Sequence, residues 1–177
     1  MAPWLTRVIG TVPLLALCLV SQAWAVEEGE LKAAIVFNIL LFVEWPPESL
    51  PEPGGPLVLC VGPNSALNAP LKGLNDRPIR SHRLEVRDLP PASGAKPCHA
   101  VFVDAADRTR LAAGLKAQRG AGALVVSDDI DAPHDTTAIV LQRIGTRIAF
   151  EVNLQPVRQA RLQLSSKLLR LARVVRE

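Results

Sequence analysis

The 177-residue chain contains no tyrosine, four phenylalanines and three tryptophans, so aromatic residues make up only 4% of it. Cysteine is scarce too: there are three, and none stands in the C-x-x-C spacing of a thioredoxin-type redox site. The glycine turns read Gly62-Pro63-Asn64-Ser65 and Gly120-Ala121-Gly122, and neither forms a dinucleotide fingerprint or a P-loop. His82, His99 and His134 lack the close spacing of a zinc pair. Ser165-Ser166-Lys167 lacks the S-x-x-K spacing of serine-lysine acyl enzymes. Internal repeats, low-complexity tracts and signs of a second domain are also missing. Catalysis, resident metals and organic cofactors are therefore not expected.

What is present suits a globular protein, at 49% hydrophobic, 21% charged and mean hydropathy +0.20. The first 25 residues distort those averages. Arg7 closes a short positive n-region, Val8 to Val20 is an apolar or small stretch of 13 residues, and Ala23-Trp24-Ala25 is a small-x-small cleavage signature. This predicts a signal peptide (residues 1–25) cut after Ala25. The alternative, a membrane anchor, needs about 20 apolar residues, more than this core supplies. Leu17 precedes Cys18 where a lipoprotein signal wants a small residue.

Export leaves Val26–Glu177, 152 residues with 19 basic and 17 acidic side chains and a net charge of +2. The pI near 9.0 thus does not mark a nucleic-acid binder. Trp45 becomes the only tryptophan. Two cysteines remain, Cys60 and Cys98, and an even count in an exported chain suggests a disulfide, with two buried free thiols as the alternative.

Hydrophobic patterning predicts a single α/β domain. Glu30 to Trp45 is apolar nearly all round and reads as a buried helix that ends at Pro46-Pro47. Leu57–Gly62, Arg83–Leu89, His99–Asp104 and Ala123–Ser127 read as strands, with a short helix near Ser65–Leu74 and an amphipathic helix over Asp107–Arg119. Their alternation points to parallel pairing. Ala138–Ile144 and Arg147–Leu154 flank Gly145-Thr146, a hairpin signal. A last helix is predicted from Pro156 to about Arg176, because Val157, Leu164, Leu168, Leu171 and Val175 follow three- and four-residue steps. The expected architecture is a three-layer open sheet, mostly parallel, with a C-terminal β-hairpin and flanking helices.

Two charged features invite a function. Six cations on the predicted last helix would meet phosphates, but that helix has no aromatic side chains to stack, and a solvated face is the simpler reading. Asp128, Asp129, Asp131, His134 and Asp135 crowd one loop, yet an EF-hand begun at Asp129 would have Pro133 fifth and Val140 twelfth, so a solvated acidic loop is expected. Glu44 and Glu151 would form an acid/base pair only if folding joined them.

The run Lys32-Ala33-Ala34-Ile35-Val36-Phe37-Asn38 leading to Phe42-Val43-Glu44-Trp45-Pro46 resembles the opening signature of the YfiR family. Leu59-Cys60-Val61-Gly62, Cys98 to Val103 and Val126-Ser127-Asp128 follow in order, and Ile148 to Leu154 with Leu164 to Ala172 is similar to the family's most specific block. Members are periplasmic, and the best known represses a membrane-bound diguanylate cyclase. The resemblance implies a non-catalytic α/β protein that inhibits an inner-membrane diguanylate cyclase or sensor kinase through its periplasmic domain, in some systems released by an outer-membrane lipoprotein. It also implies that Cys60 and Cys98 pair. Two departures stand out: His134-Asp135-Thr136-Thr137 replaces a frequent glycine pair, and Leu41 a frequent lysine.

Candidate partner-binding residues on this reading are Glu44, Trp45, Glu151, Asn153, Ser165, Ser166 and Lys167, each with a structural alternative: Trp45 and Asn153 as helix caps, Ser166 as a bond back to a carbonyl. The stripe of the last helix would be either core or a homodimer seam. A second functional class, a periplasmic small-ligand sensor or transport accessory, stays open because open α/β sheets place ligands at the carboxyl ends of their strands.

Overall fold

The computed structural model describes residues 20–52, 54–90, 98–109 and 122–177. Helix α1, Val20–Leu41, leads into strand β1, Val43–Glu44. Next come β2 (Leu57–Val61), α2 (Asn68–Lys72), β3 (Pro78–Ile79), β4 (His82–Asp88), β5 (Ala100–Val103) and β6 (Leu124–Ser127). The hairpin β7 (Ile139–Ile144) and β8 (Arg147–Asn153) precedes α3 (Leu154–Gln159), β9 (Gln163–Leu164), α4 (Ser166–Leu171) and β10 (Val174–Arg176). The predicted helix over Asp107–Arg119 lies outside the described residues beyond position 109.

Eight strands form one sheet in the order β10-β8-β7-β6-β5-β2-β4-β3, and β1 pairs with β9 in a small antiparallel sheet of two. Strands β4, β2, β5, β6 and β7 are parallel neighbours, β8 runs antiparallel to β7, and β10 lies parallel to β8. The expected single-domain, mostly parallel α/β fold with its C-terminal hairpin is the observed one. Strands β2, β5 and β6 are buried along their whole length, which is why they read as unbroken apolar runs. Alternation divides β2 between two cores. Leu57, Leu59 and Val61 join α1 and α2 on one face, whereas Val58 and Cys60 join Cys98, Val101, Val103 and Val125 on the other. In the hairpin, Gly145 takes a φ of 60° at the first turn position, a conformation that favours glycine.

Two predicted elements differ from the observed ones. The first helix stops at Leu41, short of Trp45, because Val43-Glu44 pairs with Gln163-Leu164 and the Phe42 amide donates back to the Ile39 carbonyl. It buries one stripe, Ala33, Val36, Ile39 and Leu40, while Leu31, Ala34 and Asn38 are exposed. The continuous helix from Pro156 to Arg176 does not form. Arg161 adopts a φ of 56°, which breaks it, and Ser165 caps a new helix by accepting from the Leu168 amide at 3.3 Å. The β-branched pair Val174-Val175 then enters the sheet. The apolar stripe is split accordingly: Val157 and Leu168 are buried, but Leu171 and Val175 face solvent. A dimer seam of the helical kind is therefore not present.

A disulfide joins Cys60 on β2 to Cys98 just before β5, with Cα atoms 5.8 Å apart. It fastens two central neighbours across a sequence separation of 38. Replacing both cysteines by alanine is expected to lower unfolding stability by up to about 4 kcal/mol on the loop-entropy model. Urea denaturation followed by Trp45 fluorescence reads this, and an unchanged midpoint would contradict it.

Candidate functional site

In an open α/β sheet the natural ligand crevice lies where the chain reverses direction across the sheet. Here that point is between β2 and β5, since the chain moves from β2 to β4 and then returns to the other side of β2. The protein's own side chains occupy it. Asp104 caps the short helical turn Ala105–Asp107 and also accepts from the Ala66 amide at 3.2 Å. Asp107, fully buried, accepts from the Asn64 amide at 2.8 Å and from its side-chain amide at 2.9 Å. The two loops after these strands are thereby laced together. Gly62 is required at the contact, because a Cβ there would lie 2.9 Å from the Asp107 Cβ and closer still to its carboxylate.

The acidic loop after β6 is likewise engaged. Asp128 accepts from Lys32 at 2.8 Å, and Asp129 accepts from Arg108 Nε at 2.7 Å. Burial works against the Lys32 ammonium, but the carboxylates of Asp128 and Glu28 outweigh it and hold its pKa above the ordinary lysine value. The hydrogen bond from Lys32, together with Arg143, holds the Glu28 carboxyl below its ordinary value, although burial opposes them. These contacts tie α1 to the sheet.

The residues singled out as partner contacts fall into two groups. Glu44, Trp45, Ser165, Ser166 and Lys167 meet around the β1–β9 pair, where the Ser165 amide donates to the Phe42 carbonyl at 3.0 Å. Trp45 is buried and its indole donates to the His99 carbonyl at 2.9 Å, so its role is internal. Ser165, rather than Ser166, performs the helix-end bonding. Glu44, Ser166 and Lys167 face solvent, with Glu44 3.6 Å from Arg80. Glu151 and Asn153 form the second group on β8. Asn153 caps α3 through the Gln155 amide and donates to the His134 carbonyl at 2.7 Å. Glu151 is buried; one carboxylate oxygen pairs with Arg173, and the other lies 2.7 Å from Arg176. Glu44 and Glu151 thus each serve their own arginines rather than one another.

Spacing alone did not single out Arg173, Arg176 or His99. The arginine spacing of three suits a helix face, but β10 and the residue before it bring both to Glu151. His99 replaces a missing ladder partner: its amide donates to the Val58 carbonyl, and its ring Nδ1 accepts from the Val58 amide, both at 2.9 Å. That arrangement requires a neutral ring with the proton on Nε2. Burial, aided by the nearby His82 and Arg87 charges, lowers its pKa, while a hydrogen bond to the Ser49 backbone opposes the shift.

Replacing Glu151 by glutamine is expected to cost about 2 kcal/mol, the scale of charged hydrogen bonds lost at a buried acceptor, and to open the C-terminus to carboxypeptidase. Wild-type urea stability and digestion rate in that variant would contradict the assignment. For His99, the lowered folded pKa means that its contribution is complete above the unfolded value of about 6.5 and is lost as the pH falls through the lower folded value. The urea midpoint of the wild type should therefore fall between neutral and mildly acidic pH by more than that of His99→Gln. Equal falls would remove His99 as the cause.

A family described as YfiR/HmsC-like has a model that matches residues 29–173. A comparison with curated proteins finds no match. The matched span begins on α1 and ends on Arg173, so it includes the laced strand ends, both cysteines and the Glu151 contact. The chain belongs to the YfiR/HmsC-like family, whose members are periplasmic regulators of cyclic-di-GMP signalling.

Proposed function

We propose that the mature chain, Val26–Glu177, is a periplasmic repressor that binds the periplasmic domain of an inner-membrane diguanylate cyclase and holds it inactive. The carrying observation is the family match over residues 29–173. Export by cleavage after Ala25 fits this reading, since it would remove fewer than two turns of α1 and leave the stripe Ala33, Val36, Ile39 and Leu40. No described helix is long and apolar enough to cross a membrane. A sensor kinase in place of the cyclase is the alternative partner on this reading, with an outer-membrane lipoprotein relieving the repression.

The laced strand ends favour a protein partner over a small ligand. Asp104 and Asp107 fill with their own carboxylates the place where an open sheet would receive one. Repression then rests on differential affinity, because a ligand that binds both states of the cyclase equally shifts nothing. Moving an enzyme from almost fully active to almost fully inactive takes a preference of about 10⁴-fold for the inactive state.

The test pairs the mature chain with a full-length membrane-bound GGDEF protein that carries a periplasmic domain, taken from the same organism. Saturating chain should suppress cyclic-di-GMP synthesis by at least about tenfold, given a preference of that order. Unchanged synthesis, with no detectable binding under oxidising or reducing conditions, would remove the repressor reading.

A further inference from the structure

Charge is distributed unevenly along the mature chain. Residues 154–177 hold six basic side chains and one acid, a net of +5, whereas residues 26–153 hold 13 basic and 16 acidic ones, a net of −3. The fold brings the end of this stretch to one edge of the large sheet, where β10 has a neighbour, β8, on one side only.

The cations there are not equivalent. Arg173 and Arg176 turn onto buried Glu151. Arg158 and Arg161 have loose exposed partners, Glu177 at 3.7 Å and Glu48 at 3.5 Å. Lys167 and Arg170, exposed on α4, have no ion pair among the described residues. Beside them, Leu171 is 68% exposed and Val175 40% exposed. Edge strands are normally blunted by proline or outward charge. The opposite edge, β3, follows that rule with Pro78. Beside β10 the charges of Arg173 and Arg176 are engaged by Glu151, and Val175 is left at the rim.

We propose that the β10–α4 edge is the docking surface for an extended, acidic segment of the partner's periplasmic domain, which adds to β10 as a further strand. The proposal rests on the repressor reading and names the surface that reading requires. Backbone pairing supplies affinity, Leu171 and Val175 supply apolar contact, and Lys167 and Arg170 select carboxylates. A second copy of this chain, set edge to edge, is a poor occupant, because it would bring another Lys167 and Arg170 against the first pair. An anionic membrane is also a weaker fit, since residues 154–177 contain no tryptophan or phenylalanine to anchor in an interface.

Affinity is measured between the mature chain and the full-length GGDEF protein in neutral phosphatidylcholine nanodiscs, at about 50 and about 300 mM NaCl. The double variant Lys167→Glu/Arg170→Glu is expected to weaken binding by at least about tenfold and to flatten its salt dependence, while Leu171→Ser weakens it by about fivefold. Arg147→Glu, on the hairpin tip, should stay within about twofold of wild type as a charge-reversal control away from the edge. Far-ultraviolet circular dichroism checks that each variant is folded. If the wild type binds and the double variant binds equally well, the proposed edge is wrong. If the wild type itself does not bind, the repressor reading fails, and this proposal with it. Sedimentation with phosphatidylglycerol vesicles is the third arm: capture that the double variant loses, alongside unchanged nanodisc affinity, would assign the edge to lipid and overturn the protein-strand proposal.

Discussion

The buried carboxylate of Glu151 is the contact on which the C-terminal half of the structure depends. A lone carboxylate in the sheet would be costly, and it is offset only because Arg173 and Arg176 return to it from a segment more than 20 residues later. That return makes residues 174–176 a strand instead of the end of a helix, and it sets β10 beside β8. It also frees Leu171 and Val175 from the core and turns α4 outward with Lys167 and Arg170. One ion cluster thus determines both the last fold element and the character of the edge.

The carboxyl ends of the central strands are closed by similar means. Asp104 and Asp107 bind the loops after β2 and β5 to each other, and Lys32 anchors α1 to Asp128. Carboxylates that looked available in the sequence prove to be internal fasteners. A module built this way has rigid strand ends and an exposed basic edge, which suits recognition of a protein surface better than enclosure of a small molecule.

Much of this was legible in the sequence, for identifiable reasons. The interior strands are buried on both faces, so Leu57–Gly62, His99–Asp104 and Ala123–Ser127 announced themselves as apolar runs, and Gly145 marked the hairpin. The terminal segment was not legible because its apolar spacing imitates a helix. Its true form depends on tertiary contacts: the inward pull of Glu151, the left-handed Arg161 and the capping Ser165. Val43-Glu44 was hidden for the same reason, as its strand character exists only through Gln163-Leu164, some 120 residues away. Of the residues read as partner contacts, Trp45, Glu151, Asn153 and Ser165 have internal partners, whereas Glu44, Ser166 and Lys167 present themselves to solvent. Sequence spacing cannot separate these two kinds of polar residue, since both occupy the same turns and strand ends.

Amide hydrogen exchange, compared between the free mature chain and the chain mixed with the full-length membrane-bound GGDEF protein proposed as its partner, tests the central claim most directly. The account predicts added protection over residues 163–176, with the loops at 62–67 and 104–109 unchanged. Protection confined to those loops, and none along β9, α4 and β10, would contradict it.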